Sequence, residues 1–274
     1  MKKYLLKNLG SITTGRTPAK SKEENYENGG IPFVKPPNLN GNKPVRNAKE
    51  YLSETGLKNA NPIEKNSIMV SCIGIIGKVG IAGKRLATNQ QINSITFNEN
   101  LVFYKYGFYL LKSLKQKLNN SANTSVVPIL NKSNFSNIEV NIPSLHEQNV
   151  IANYLDHLNM IVEKRKENIS LLDDFLNSIF LEMFGDPVIN NKGYTKDILS
   201  NLAEKIGSGS TPRGGSTVYQ PQGILFIRSQ NVLMNQMKLD NAVFISDDIH
   251  NSMKNTWVKN GDVLLNITGA SIGR

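Results

Sequence analysis

A glycine-rich run, GIIGKVG at Gly74–Gly80, is the first place in this sequence to look for phosphate chemistry. A loop that cradles phosphates needs four residues between its glycines and a Ser or Thr after its lysine to hold magnesium. Here two residues separate Gly74 from Gly77, and Val79 follows Lys78. The run reads as a turn between strands. The stretch KPPNL (Lys35–Leu39) has the proline pair of loops that orient an amino group for methylation. Lys35 stands where such a loop needs Asn, and Asn38 where it needs an aromatic ring, so it cannot act that way. Many DNA-cutting sites hold magnesium with a carboxylate two residues before a lysine, and the chain contains no Asp/Glu-x-Lys. His146, His157 and His250 lack the spacing of metal ligands. The single cysteine, Cys72, sits in the apolar run SIMVSCIG and reads as a packed thiol. No catalytic or metal-binding constellation emerges.

Binding chemistry is better served. Arg16 and Thr17 lie on a glycine-anchored turn, TGRTP, and Thr211 holds the matching place in SGSTP. A hydroxyl, a cation and turn amides suit phosphate oxygens, and such contacts position a protein on nucleic acid without reading sequence. Lys78, Lys84 and Arg85 flank the glycine-rich turn and suit the same backbone charge. For reading bases, the candidates are Asn89, Gln90 and Gln91, together with Lys35 and Asn38. Asn and Gln can bond bidentately to adenine and Lys to guanine in the major groove. Strand capping is the competing role for Asn89 to Gln91.

These residues recur. IPFVKPPNLN (31–40) returns as ILFIRSQNVL (224–233), which puts Arg228 in the place of Lys35. LGSITTGRTP returns as LAEKIGSGSTP, Tyr51-Leu52-Ser53 as Phe244-Ile245-Ser246, and SIMVSCIGIIGK as DVLLNITGASIGR at the end of the chain. A period near 193 residues is far too long for a solenoid and signals two copies of one domain, the second incomplete. Counterparts of residues 79–184 do not follow in this sequence.

Short β-rich runs fill the first hundred residues, with Ile31–Lys35, Ser67–Ile73 and Ser94–Phe97 as strands, and a helix is expected over Phe103–Leu118. The fold class is α+β. Three segments are expected: a recognition domain over 1–143, a long helix over 144–185, and the incomplete second copy over 186–274. Residues 1–143 hold 20 Lys and Arg against 8 Glu and no Asp. So basic a domain points to a polyanion such as nucleic acid. No apolar stretch approaches the roughly 18 residues of a membrane span, and one cysteine fits a reducing, cytoplasmic setting.

The long helix is announced by Ser144-Leu-His-Glu147, a capping box. Ile151, Leu155, Leu158, Val162, Arg165, Ile169, Leu172, Leu176, Ile179 and Met183 then alternate in steps of four and three, a heptad seam. Gly185 and Pro187 stop it. A stripe about 60 Å long at 1.5 Å per residue is expected to seek a partner helix in a coiled coil.

In order and in repetition, the TGRTP and SGSTP turns, the IPFVKPPNLNG and ILFIRSQNV runs, SCIGIIGKVG with ATNQQINSI, and the helix IPSLHEQNVIANYLDHLNM…FGDP resemble the DNA specificity subunit of type I restriction–modification systems. That resemblance implies a non-catalytic subunit whose target-recognition domains each read half of a bipartite sequence in double-stranded DNA. It implies methylation and restriction subunits as partners, with S-adenosylmethionine, ATP and magnesium used there and no cofactor in this chain. A shortened second domain further implies a second copy of this chain, joined through the helix seam, as partner. The residues alone leave open a coiled-coil interaction module whose basic domain binds nucleic acid non-specifically.

Overall fold

The computed structural model describes residues 2–39, 41–123 and 127–274; Asn40, the last residue of the first echo, lies outside them. The chain divides into two compact units, Met1–Met183 and Phe184–Arg274. In the first, ten strands run β1 (Lys2–Leu5), β2 (Gly10–Thr14), β3 (Ile31–Val34), β4 (Glu50–Leu52), β5 (Pro62–Ile63), β6 (Ile68–Ser71), β7 (Val79–Ile81), β8 (Leu86–Thr88), β9 (Ile92–Phe97) and β10 (Glu139–Ile142). Between and after them lie α1 (Glu54–Asn59), α2 (Tyr104–Ser113), α3 (Lys115–Asn120), α4 (Lys132–Ser136) and α5 (Leu145–Phe184). The architecture is α+β.

Among the described residues of this unit two four-stranded sheets are formed, in the orders β2-β9-β6-β7 and β4-β3-β8-β5, while β1 and β10 make a separate antiparallel pair. Strand alternation explains how they stack. Ile68 and Val70 of β6 face a large core shared with α2 and α4, whereas Met69 faces a second core with Val34 of β3 and Leu86 of β8. Phe33 and Ala87, on the other face of the second sheet, pack with Leu57 of α1 and with Ala60, which follows it. The layers therefore run helices, first sheet, second sheet, helix. Strands buried on both faces read as continuous apolar runs, which is why SIMVSCI shows no polar alternation. The helix expected over Phe103–Leu118 breaks at Leu114 into α2 and α3. There the Ser113 hydroxyl donates to the Leu110 carbonyl at 2.7 Å, competing with the backbone ladder.

The β1–β10 pair delivers the chain to α5. Its capping box forms as the spacing predicts: the Ser144 amide donates to Glu147 Oε2 at 2.9 Å, and the Glu147 amide to Ser144 Oγ at 3.3 Å. The helix runs 40 residues, and only Gln148 and Ala152, one turn apart, are buried on it. Farther along, the seam residues Leu158, Leu172 and Leu176 are exposed.

The second unit holds α6 (Leu199–Leu202), β11 (Ile224–Phe226), β12 (Val232–Leu233), β13 (Gln236–Met237), β14 (Val243–Ile245) and α7 (Asp247–Ser252). Its strand pair and helix cap repeat those of the first at an offset of 193 residues. The β3–β4 register Ile31↔Leu52 and Phe33↔Glu50 returns in β11–β14 as Ile224↔Ile245 and Phe226↔Val243. Ser53 caps α1 by accepting from the Gly56 amide, and Ser246 caps α7 by accepting from the Ile249 amide. The counterpart of β6 forms no ladder among the described residues, and Val263, Leu265 and Ile267 are exposed. In the first unit β6 is a central strand between β9 and β7.

Candidate nucleic-acid interface

Strand directions decide which polar residues meet. β3 and β8 are parallel, with Val34 opposite Thr88, so Lys35 and Asn89 emerge side by side. β2 and β9 are antiparallel, with Thr14 opposite Asn93, so the TGRTP turn emerges beside Gln90 and Gln91. β6 ends at Ser71 opposite Ile92, which brings the glycine-rich turn and Lys78 to the same end. Arg16, Thr17, Lys35, Asn38, Lys78 and Asn89–Gln91 thus leave the sheets at one end. Lys84 and Arg85 do not join them. They lie between β7 and β8 at the opposite end, where Arg85 Nε sits 3.3 Å from Glu64 Oε1.

Contact between the two central loops is close. The Gly15 amide donates to the Ile92 carbonyl at 3.0 Å. A Cβ on Gly15 would lie 2.2 Å from the Asn89 carbonyl oxygen, so only glycine lets the loops meet. At their junction the Thr17 hydroxyl donates to Gln90 Oε1 at 2.6 Å, and the Thr14 hydroxyl to Asn93 Oδ1 at 2.7 Å. Gln90 and Arg16 are both exposed. Asn89 is buried: its Nδ2 donates to Gln91 Oε1 at 2.8 Å and its Oδ1 accepts from the Gln91 amide at 3.2 Å. Asn89 is therefore spent on the turn, and Gln90 is the member of the triplet free to reach a partner.

Lys35 and Asn38 are likewise partly committed. Asn38 Oδ1 accepts from the Lys35 amide at 2.9 Å, and the Asn38 amide donates back to the Lys35 carbonyl at 2.8 Å. The Lys35 ammonium pairs with Glu50, whose carboxyl that hydrogen bond holds below the usual carboxylate range. Arg228 and Asn231 build the same reciprocal turn at 3.0 and 2.8 Å. There the guanidinium donates to the Asn241 carbonyl and lies over the Tyr219 ring. Thr211 is exposed on a segment without regular structure.

One cation escaped the sequence reading. Lys115 of α3 packs against the glycine-rich turn, its Cγ 3.0 Å from where a Gly77 Cβ would stand, and its position is exposed. With Lys78 it extends the basic end around the turn. Only the packing of α3 beside β6–β7 reveals this, since 37 residues separate the two lysines. Cys72 lies beneath this turn. Burial pushes its thiol up to about 11, against a backbone hydrogen bond at Asn93 that pulls the other way, so it is not a nucleophile near neutral pH.

A second cluster joins this domain to α5. Gln148 Oε1 accepts from the Phe103 amide at 2.9 Å, while Nε2 donates to the Leu101 and Pro143 carbonyls at 2.9 and 3.0 Å. One face farther along, Asp156 accepts from Lys105 Nζ and the Tyr109 hydroxyl, both at 2.6 Å, and Asn159 Nδ2 donates to the Tyr109 oxygen at 2.9 Å. Burial, then the bond to Asp156, pushes the Tyr109 hydroxyl up to about 12. The root of α5 is thereby fixed to α2. Among the described residues no helix is long and apolar enough to cross a membrane.

Comparison with known proteins gives a consistent picture. The family model described as type I restriction modification DNA specificity domain matches residues 1–172. The MjaIX specificity subunit of a type I restriction enzyme from Methanocaldococcus jannaschii is 24% identical over 262 residues, covering 88% of this chain and 60% of that protein. The HindI specificity subunit from Haemophilus influenzae is 31% identical over 170 residues, covering 59% and 37%. The chain thus spans between about a third and three fifths of these relatives. A solved structure from work on complex assembly and conformational transition of the type I R-M system shares the fold, with a TM-score of 0.53 at 18% identity, over 65% of this chain and 43% of that one.

Proposed function

This chain belongs to the family of type I restriction–modification DNA specificity domains, and from that premise we propose that it selects the DNA sequence on which a type I system acts while performing no chemistry itself. The observation that carries the reading is the convergence of Arg16, Thr17, Lys78 and Gln90 on one end of two stacked sheets. Cations and hydroxyls there meet phosphates, and Gln90, flanked by Gln91, is placed to reach a base edge. Lys115 adds to the phosphate set. The seam of α5, exposed at Ile151, Leu158, Val162, Ile169, Leu172, Leu176 and Met183 and half-buried at Leu155 and Ile179, is assigned to the methylation and restriction subunits and to a second copy of the same chain. S-adenosylmethionine, ATP and magnesium belong to those partners.

A two-fold pair of identical chains would read the same half-sequence on opposite strands, so the target is an interrupted palindrome. The test is twofold. The purified chain is expected to bind duplex DNA with a log–log salt slope of about −4, from four or five phosphate contacts. Co-expressed with methylation subunits as the sole specificity protein, it is expected to direct methylation to one palindromic motif. Salt-independent binding, or methyl transfer by the chain alone, refutes the reading; an asymmetric motif refutes the pairing of identical copies.

A further inference from the structure

The glycine-rich turn is built alike in both copies and differs at its tip. In the first, the Ser71 amide donates to the Lys78 carbonyl at 2.9 Å and the Gly77 amide to the Ser71 carbonyl at 3.0 Å. In the second, the Asn266 amide donates to the Arg274 carbonyl at 2.8 Å and the Gly273 amide to the Asn266 carbonyl at 3.0 Å. Both turns open and close on glycines with positive φ, +71° and +82° at Gly74 and Gly77, +70° and +89° at Gly269 and Gly273. Between them the first copy carries Ile75-Ile76 and the second Ala270-Ser271-Ile272. A frame repeated to the level of individual hydrogen bonds, holding a tip that varies in residue and length, is how a recognition loop is expected to look.

Ile75 is the more telling residue. It is 66% exposed, although its neighbour Ile76 is buried. Among the described residues of the first 144, only Ile75, Val127 (48%) and Ile129 (38%) are large apolar side chains left exposed. All three belong to this one place: Ile73 bridges Ile129, and the Gly74 amide donates to the Pro128 carbonyl at 3.1 Å. The patch lies at the same end of the sheets as Arg16 and Gln90, with Lys78 and Lys115 beside it. Three apolar side chains with two lysines beside them suit an anionic partner with an apolar spot. Duplex DNA has one in its major groove, the C5 methyl of thymine.

We infer that Ile75 is a specificity-determining residue which packs against a thymine methyl in the half-site read by the first domain. The inference rests on the DNA-reading function proposed above. Its test is affinity selection by the full chain from two random duplex pools, one containing thymine and one with deoxyuridine throughout. The wild-type chain is expected to enrich a motif with a fixed A·T pair from the thymine pool and to enrich that position alone about fourfold less from the deoxyuridine pool. Ile75→Ala is expected to weaken enrichment at that position about fourfold, the loss of one buried methyl contact, and to leave the other positions unchanged. Deoxyuridine should then make no further difference to the variant. A motif enriched equally from both pools, or unaltered by Ile75→Ala, overturns the inference while leaving DNA reading intact. It falls equally if Ile75→Ala selects normally but no longer captures the methylation subunit, since the patch is then a protein contact. No motif from either pool with the wild-type chain removes the DNA-reading function, and this inference with it.

Discussion

Replacing Gln148 should uncouple the recognition domain from its long helix. The side chain is fully buried and satisfies three main-chain groups: the Phe103 amide, which opens α2, and the Leu101 and Pro143 carbonyls. Gln148→Ala strands all three. An unsatisfied buried polar group costs about 1–3 kcal/mol. Leu101 and Phe103 are only half-buried, so water relieves part of the loss, and roughly 3–5 kcal/mol is expected. Gln148→Glu separates hydrogen bonding from volume. It keeps the shape and the acceptor for Phe103 but points an oxygen at two carbonyl oxygens. If hydrogen bonds carry the effect, Glu is nearly as damaging as Ala and recovers in part on acidification, when the acid can donate again. Hydrogen exchange of the amides at 149–156 reads the root of α5 directly, and protection is expected to fall about 100-fold or more. A Gln148→Glu chain within about 0.5 kcal/mol of wild type would show that packing alone fixes the helix.

Three further outcomes are expected. Gly15→Ala drives a methyl into the Asn89 carbonyl, costing about 1–3 kcal/mol and parting Thr17 from Gln90; DNA affinity should fall, and unchanged affinity would remove this junction from the interface. Leu158→Asp with Leu172→Asp should leave the stability of the isolated chain within about 0.5 kcal/mol, because both are exposed in it, yet cost an assembly about 3 kcal/mol or more through unpaired carboxylates in an apolar seam. Normal assembly of the double variant in sizing experiments would place the seam in solvent. Cys72 should resist iodoacetamide at pH 8 in the folded chain and react on unfolding, because its thiol is pushed up to about 11; rapid alkylation of the native protein would contradict its burial.

The α+β class, the long helix and its capping box were legible in the sequence because each rests on local chemistry. Ser144 and Glu147 need only each other, and the steps of four and three from Ile151 to Met183 need only helical geometry. What could not be read was which ends of which strands coincide. Lys84 and Arg85 follow the same glycine-rich stretch as Lys78, yet β7 carries the chain across the sheet before they appear. Lys115 belongs to the basic end only because α3 packs beside Gly77. Asn89, Gln90 and Gln91 are equivalent as letters, but the parallel pairing of β8 with β3 buries the first and presents the second. Alternation along a strand is a local property, whereas sheet order and strand direction are not.

The repeat adds a reason why reading residues are hard to find by pattern. Across the repeat the matching structure is carried by main-chain groups and one repeated asparagine: the Asn38 and Asn231 side chains accept from the Lys35 and Arg228 amides, and main-chain bonds close Ser71 on Lys78 and Asn266 on Arg274. Beyond those asparagines and the turn glycines, the frame makes no demand on side chains, so outward positions change without loss of fold. Glu50, which pairs with Lys35, is replaced by Val243, and the cation at Arg228 turns instead to the Asn241 carbonyl and the Tyr219 ring. Ile75 gives way to Ala270 and Ser271 between glycines of the same conformation. A scaffold that supports itself through its backbone leaves the side chains at its polar end free to follow whatever sequence must be read. Residues that differ between the two copies on a shared frame are thus better candidates for base contact than residues that match.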